Sequence, residues 1–142
     1  MADKEKLKIF VFGSNLAGIH GAGSARAAWK EHGAIFGQGV GRQGNSYAIP
    51  TKDANLNSMK LEDIKPYVLE FIKYATEHPE LNFSVVKIGC GLAGFTEKDI
   101  GPMFKGSPRN VWLPVDFIDA ILLHTDLVKE LMEKERENEQ KT

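Results

Sequence analysis

Apolar positions change period several times along the chain, and each change marks an element. Residues 7–12 (LKIFVF) are a short β-branched and aromatic run closed by Gly13, which predicts a buried strand. Across residues 22–32, Ala25, Ala28 and Trp29 recur at spacings of three and four, predicting a helix with Gly33 as its C-terminal stop. Residues 37–44 (GQGVGRQG) hold too many glycines for either regular element and are expected to form a mobile or tightly turned loop. Residues 46–49 read as a short strand ended by Pro50.

The longest periodic segment is 61–77, where Leu61, Ile64, Val68, Leu69, Phe71, Ile72 and Ala75 line one side of a helix. Pro66 is expected near its first turn, where a missing amide matters little. Residues 82–88 (NFSVVKI) predict a second strong strand broken by Gly89. Thr96 with Asp99 three residues later forms a capping-box-like start for a short helix over 96–104. A strand over 110–113 and a helix over 115–133 complete the pattern, giving one domain over 1–135. The charged end, with 136–142 as its tail, is expected to fray. Strands alternating with helices imply an α/β domain, its helices packed on a mixed, largely parallel sheet.

Composition narrows the functions open to such a domain. The 142 residues are 42% hydrophobic and 26% charged, with 18 Lys plus Arg against 19 Asp plus Glu. A formal net charge of -1 argues against binding driven by nonspecific attraction to a phosphate backbone or anionic lipid, although a local basic patch stays open. Cys90 is the single cysteine, and no four-ligand Cys/His spacing exists, so neither an intramolecular disulfide nor a structural zinc site is expected. A reducing, cytoplasmic interior fits this usage. The apolar run from Ile9 to Phe12 is too short for a signal peptide or a membrane span. No metal, cofactor or membrane partner is expected.

The 14 glycines cluster at 13–44 and 89–106, and each cluster begins directly after a predicted strand. Ligands of open α/β sheets bind outside the carboxyl ends of the strands, so the two loops are expected to face one site. In the first, Gly13 to Ser24 leads from strand to helix, where absent side chains admit a ligand and unpaired amides favour an anion. Its spacing is not GxGxxG, and it lacks the Gly-Lys-Ser/Thr of a P-loop. In the second, Gly89 to Phe95, successive amides of a glycine-rich turn make a concave nest for phosphate oxygens. Two such loops suit a diphosphate better than one phosphate.

Phe95 offers a stacking surface for a base or ribose, or a core aromatic. Cys90 invites a thiol nucleophile with His20 as base, against the commoner use of a lone cysteine as a small apolar residue. His32, His78 and His124 fall in or beside amphipathic helices and read as solvated. Lys52, at a strand end, reads as a ligand-edge amine or a surface lysine.

The run His20-Gly-Ala-Gly-Ser-Ala-Arg-Ala-Ala-Trp-Lys-Glu-His-Gly33, the segment Tyr47-Ala-Ile-Pro-Thr-Lys52 and the turn Lys87-Ile-Gly-Cys-Gly-Leu92 together resemble the macro domain. The likeness is to the short branch of terminal ADP-ribose protein glycohydrolase-like macro domains and spans about residues 7–114. It implies a three-layer α/β/α fold whose cleft holds ADP-ribose, the diphosphate between the glycine loops and the distal ribose near Lys52 and Asn15. The ligand-binding residues it implies are Ser14, Asn15, Gly21, Ala22, Gly23, Ser24, Thr51, Gly89, Cys90, Gly91, Leu92, Ala93, Gly94 and Phe95.

In that branch the lysine at the position of Lys52 attacks the anomeric carbon of the ribose, assisted by an acidic residue directly after the GCGL turn. Here that position is Ala93. An amine that stays protonated near its reference pKa of about 10.4 is no nucleophile without help. Glu97 and Asp99 follow nearby, but the dipole of the helix they open accounts for both. Other macro branches hydrolyse through a positioned water, with an asparagine such as Asn15 orienting the ribose. The implied function is therefore binding of ADP-ribose or a related NAD-derived nucleotide, with hydrolysis of an ADP-ribosyl bond as a further activity carried by Lys52 and Asn15. The alternative is a noncatalytic protein that sequesters or senses a nucleotide signal such as a cyclic ADP-ribose isomer. An interaction domain with glycine loops as plain turns is a third. Nucleic acid is expected as a partner only where it carries the modification.

Overall fold

A computed structural model describes residues 8–140 of the chain. Leu7, placed by the sequence in the first strand, and the end of the charged tail, Lys141 and Thr142, lie outside the described residues. Strand β1 (Lys8–Asn15) leads to helix α1 (Gly23–Glu31), the short strand β2 (Gly41–Gln43) and strand β3 (Ser46–Lys52). Helix α2 (Leu61–Glu77), strand β4 (Asn82–Val85), helix α3 (Glu97–Ile100), a 3-10 turn (Gly101–Phe104), strand β5 (Val111–Trp112) and helix α4 (Val115–Gln140) follow.

The five strands form one sheet in the order β2-β3-β1-β4-β5. Neighbours from β3 to β5 are parallel, and β2 pairs antiparallel with β3, so the sheet is mixed and mostly parallel. Alternation along β1 splits its side chains between two faces. Ile9 and Val11 join Tyr47, Ile49, Phe83 and Val85 beneath α2, the 3-10 turn and α4, in a core that includes Ile64, Phe71, Phe104 and Phe117. Phe12 and Ala48 face the other way, toward Ala25 and Ala28 of α1, with Phe10 partly buried beside them. Helices thus cover both faces, consistent with three α/β/α layers, but among the described residues the 9-residue α1 is the one helix on the second face.

Several expected boundaries shift for identifiable reasons. The glycine-rich segment 37–44 contains β2, because Gly41 pairs with Ala48 and Gln43 with Ser46 at a sheet edge where a short strand is enough. Gln43 is buried, its carboxamide oxygen accepting from the Ile35 amide at 2.8 Å. Pro50 does not end β3; it pairs with Ser14, and the register shifts just beyond it, between Ser14 and Asn15, where a missing donor is tolerated. Pro66 sits in the second turn of α2, beyond the positions whose amides lack helical acceptors, and on the exposed side of the helix. β4 stops at Val85, three residues short of the expected strand, as Val86 to Ile88 bend toward Gly89 at φ +78°. The helix over 96–104 divides into α3 and the 3-10 turn, and α4 continues as helix through the charged segment to Gln140. Trp29 is 40% exposed rather than core-facing and packs edge-on against Phe36. No described helix is long and apolar enough to cross a membrane.

Candidate functional site

Parallel pairing brings the carboxyl ends of β1, β3 and β4 to one edge of the sheet, and there a cleft of about 740 Å³ opens. Both glycine loops line it, together with Lys52 at the end of β3. Their closeness is shown at Gly13, where an added Cβ would lie 3.4 Å from the Gly89 nitrogen and 3.7 Å from the Thr51 hydroxyl. Of the residues expected to bind a ligand, Ser14, Asn15, Gly21, Ala22, Gly23, Ser24, Thr51, Lys52 and all of Gly89 to Ala93 line this cleft.

The first loop ends at the amino terminus of α1. Ala22 there is extended, no side chain caps the helix, and its first turn holds no acidic residue. Among the described residues, no protein group accepts from the amides of Gly21 to Ala25; the first helical bond to this segment runs from Arg26 to the Ala22 carbonyl at 3.2 Å. In the second loop, the amides of Cys90, Gly94 and Phe95 bond to the carbonyls of Lys87, Gly91 and Gly89 at 3.1, 3.0 and 2.9 Å. Those of Gly91, Leu92 and Ala93 are left unclaimed within the described residues. Two sets of free amides on one cleft, one reinforced by a helix dipole, form an environment for oxyanions.

The polar side chains are more committed than the sequence suggests. Ser14 is buried, and its hydroxyl donates to the Gly39 carbonyl. Asn15 braces its own loop, Nδ2 donating to the Ile19 carbonyl at 2.8 Å and Oδ1 accepting from the Ile19 amide at 2.9 Å. Each end of that carboxamide keeps one further hydrogen-bonding position.

Two residues of the second loop fall outside the lining, Gly94 and Phe95. Phe95 turns back onto the main core, reaching within 3.4 Å of where a Gly89 Cβ would stand, so the packing role wins over the stacking one. Cys90 and His20 do not pair. His20 is fully buried between Phe12 and Phe36, with Nε2 3.0 Å from the Gln38 carbonyl and 3.3 Å from Gln43 Oε1. The Cys90 thiol lies 3.6 Å from the Ile88 carbonyl, and burial, aided by Glu97, pushes its pKa up to about 11. A thiol so protonated at neutral pH is a packing group.

The cleft also contains Ile19, Leu56, Val86 and Lys87, to which sequence reasoning assigned no site role, and Glu97, which it assigned to a helix dipole. Lys87 bonds to Asp116 at 2.5 Å and to Glu97 at 3.5 Å, contacts that hold its ammonium above its ordinary pKa. Asp99 accepts from the Thr96 amide at 2.9 Å and belongs to the helix cap, whereas Glu97 faces the cleft and Lys87. Lys87 stands two residues before Gly89, a signal available in the chain; Asp116, some thirty residues on, was not. No protein-family model, curated protein or solved structure matches the chain.

Proposed function

We propose that the cleft binds ADP-ribose or a related NAD-derived nucleotide in a macro-domain-like manner, with the diphosphate held by amides of the two glycine loops. The observation that carries this reading is the meeting of those loops, Gly13 against Gly89, around unclaimed N–H groups on a cleft of nucleotide size. Lys52 and Thr51 then border the distal ribose, and Asn15 acts first through Ile19, with one donor position left for a ribose hydroxyl. Titration calorimetry with ADP-ribose tests the reading, and absence of heat at millimolar ligand overturns it.

A second reading, noncatalytic sequestering or sensing of a nucleotide signal, is favoured by the state of the carboxylates. Residue 93 is alanine, and Glu97 is engaged with Lys87. Incubation with ADP-ribosylated protein or DNA separates the two. Release that disappears in Lys52→Ala supports glycohydrolysis through the lysine, release that persists removes Lys52 from the chemistry, and binding without release supports sequestering.

A further inference from the structure

The loop after β3 carries Leu56, the sole residue other than glycine with a left-handed backbone among the described residues, at φ +66°. Such a conformation persists only where the surroundings over-determine it. Here Lys52 and Ser58 bridge the base of the loop. Above them the Asp53 amide donates to the Asn57 carbonyl at 2.8 Å, and the Leu56 amide to the Asp53 carbonyl at 3.0 Å. The Asp53 carboxylate also accepts from the amides of Asn55 and Asn57 at 2.9 and 3.0 Å. Glycine or asparagine suits this position better. Leucine, 44% exposed, has neither a conformational nor a burial reason to be there.

Leu56 does line the cleft beside Lys52. Leu92, 73% exposed, lines it from the loop after β4, and Ser58 Oγ donates to the Ala93 carbonyl at 2.7 Å, tying the two loops together. An apolar pair is therefore presented to the ligand edge in a fixed backbone frame.

We infer that Leu56 is a preset ligand contact which, with Leu92, forms an apolar clamp over the far end of the nucleotide, the sugar beside Lys52. This rests on the ADP-ribose reading. Leucine offers no hydrogen bond, so the clamp selects by shape and by excluding water.

The test uses the full chain with Leu56→Gly and Leu56→Asn, both compatible with positive φ. Melting temperature without ligand is expected to hold or rise, while affinity for ADP-ribose falls about tenfold and affinity for ADP, which lacks the second sugar, is unchanged. Undiminished ADP-ribose affinity overturns the inference and leaves the binding reading standing. Equal losses for ADP and ADP-ribose overturn it too, since Leu56 would then act on the loop as a whole. A lower melting temperature in both variants assigns Leu56 to the fold and has the same effect. A wild-type chain silent toward ADP-ribose removes the reading and the inference together.

Discussion

Gly39 and Gly91 show two uses of the same residue. A Cβ on Gly39 would overlap the carbonyl oxygen of Asn15, so that glycine permits the 37–41 segment to close over the end of β1. At Gly91 nothing lies within 4 Å of the added carbon, so a side chain there is accepted by the fold and enters the cleft. Gly91→Glu is expected to melt like the wild type and to lose ADP-ribose binding, because a carboxylate occupies the space of the phosphate and repels it; unaltered affinity by calorimetry contradicts the placement of the diphosphate. Titratable residues add a pH prediction. Burial raises Tyr47 from 10.0 to about 12 and Cys90 from 9.0 to about 11, and the Asp116 contact raises Lys87 above 10.5. In each case the folded chain holds its proton to higher pH than the unfolded chain. Their stabilisation is therefore complete below pH 9 and is lost progressively as pH rises through about 11 and 12. Denaturation midpoints measured from pH 8 to 12 are expected to fall, and Cys90→Ala to flatten the first part of that decline.

At the scale of elements, Asn110 is the most concentrated tie. Its Nδ2 lies 3.0, 2.9 and 3.0 Å from the carbonyls of Ala75, His78 and Leu81, which end α2 and turn the chain into β4. Asn110→Ala leaves those acceptors without that donor and is expected to destabilise the protein by about 1–3 kcal/mol, read from urea denaturation. A loss under about 0.5 kcal/mol would mean that water serves the turn equally well. The elements legible beforehand are those whose cause is local. The α2 bounds follow from periodicity alone, and Gly33 stops α1 with φ +76°. What escaped depended on partners distant in sequence. β2 exists because Gly41–Gln43 meets β3, and Pro50 stays in its strand because the register shift falls beside it. For the cleft, the glycine loops announce themselves by composition, and Lys52 by its place at a strand end. The Lys87–Asp116 contact is a tertiary outcome with no local signature, whereas the positive φ of Leu56 follows from the local hydrogen bonds of Asp53, which leave no mark at the leucine itself.

Considered whole, the molecule distributes its packing unevenly, and α4 shows where the body ends. Phe117 is fully buried against Phe104, and Gly101 fits so closely beneath α4 that a Cβ there would stand 2.9 Å from the Cβ of Ala120. Beyond Thr125 the helix continues with Leu127, Val128, Leu131 and Met132 between 42% and 61% exposed. A free helical segment of this length is marginal in water, so its helicity is carried by the docked first half. Two substitutions of large apolar residues on this one helix should therefore differ sharply. Phe117→Ala opens a cavity beside Phe104 of the 3-10 turn and is expected to cost about 3–5 kcal/mol of unfolding free energy. Leu131→Ala removes an exposed side chain and raises helix propensity, so stability is expected to stay within about 0.5 kcal/mol of the wild type. Chemical denaturation of both variants, repeated at several protein concentrations, decides the matter. A Leu131→Ala loss approaching that of Phe117→Ala would show that the far half of α4 is packed in solution, and a concentration dependence of that loss would assign the packing to a second copy of the chain.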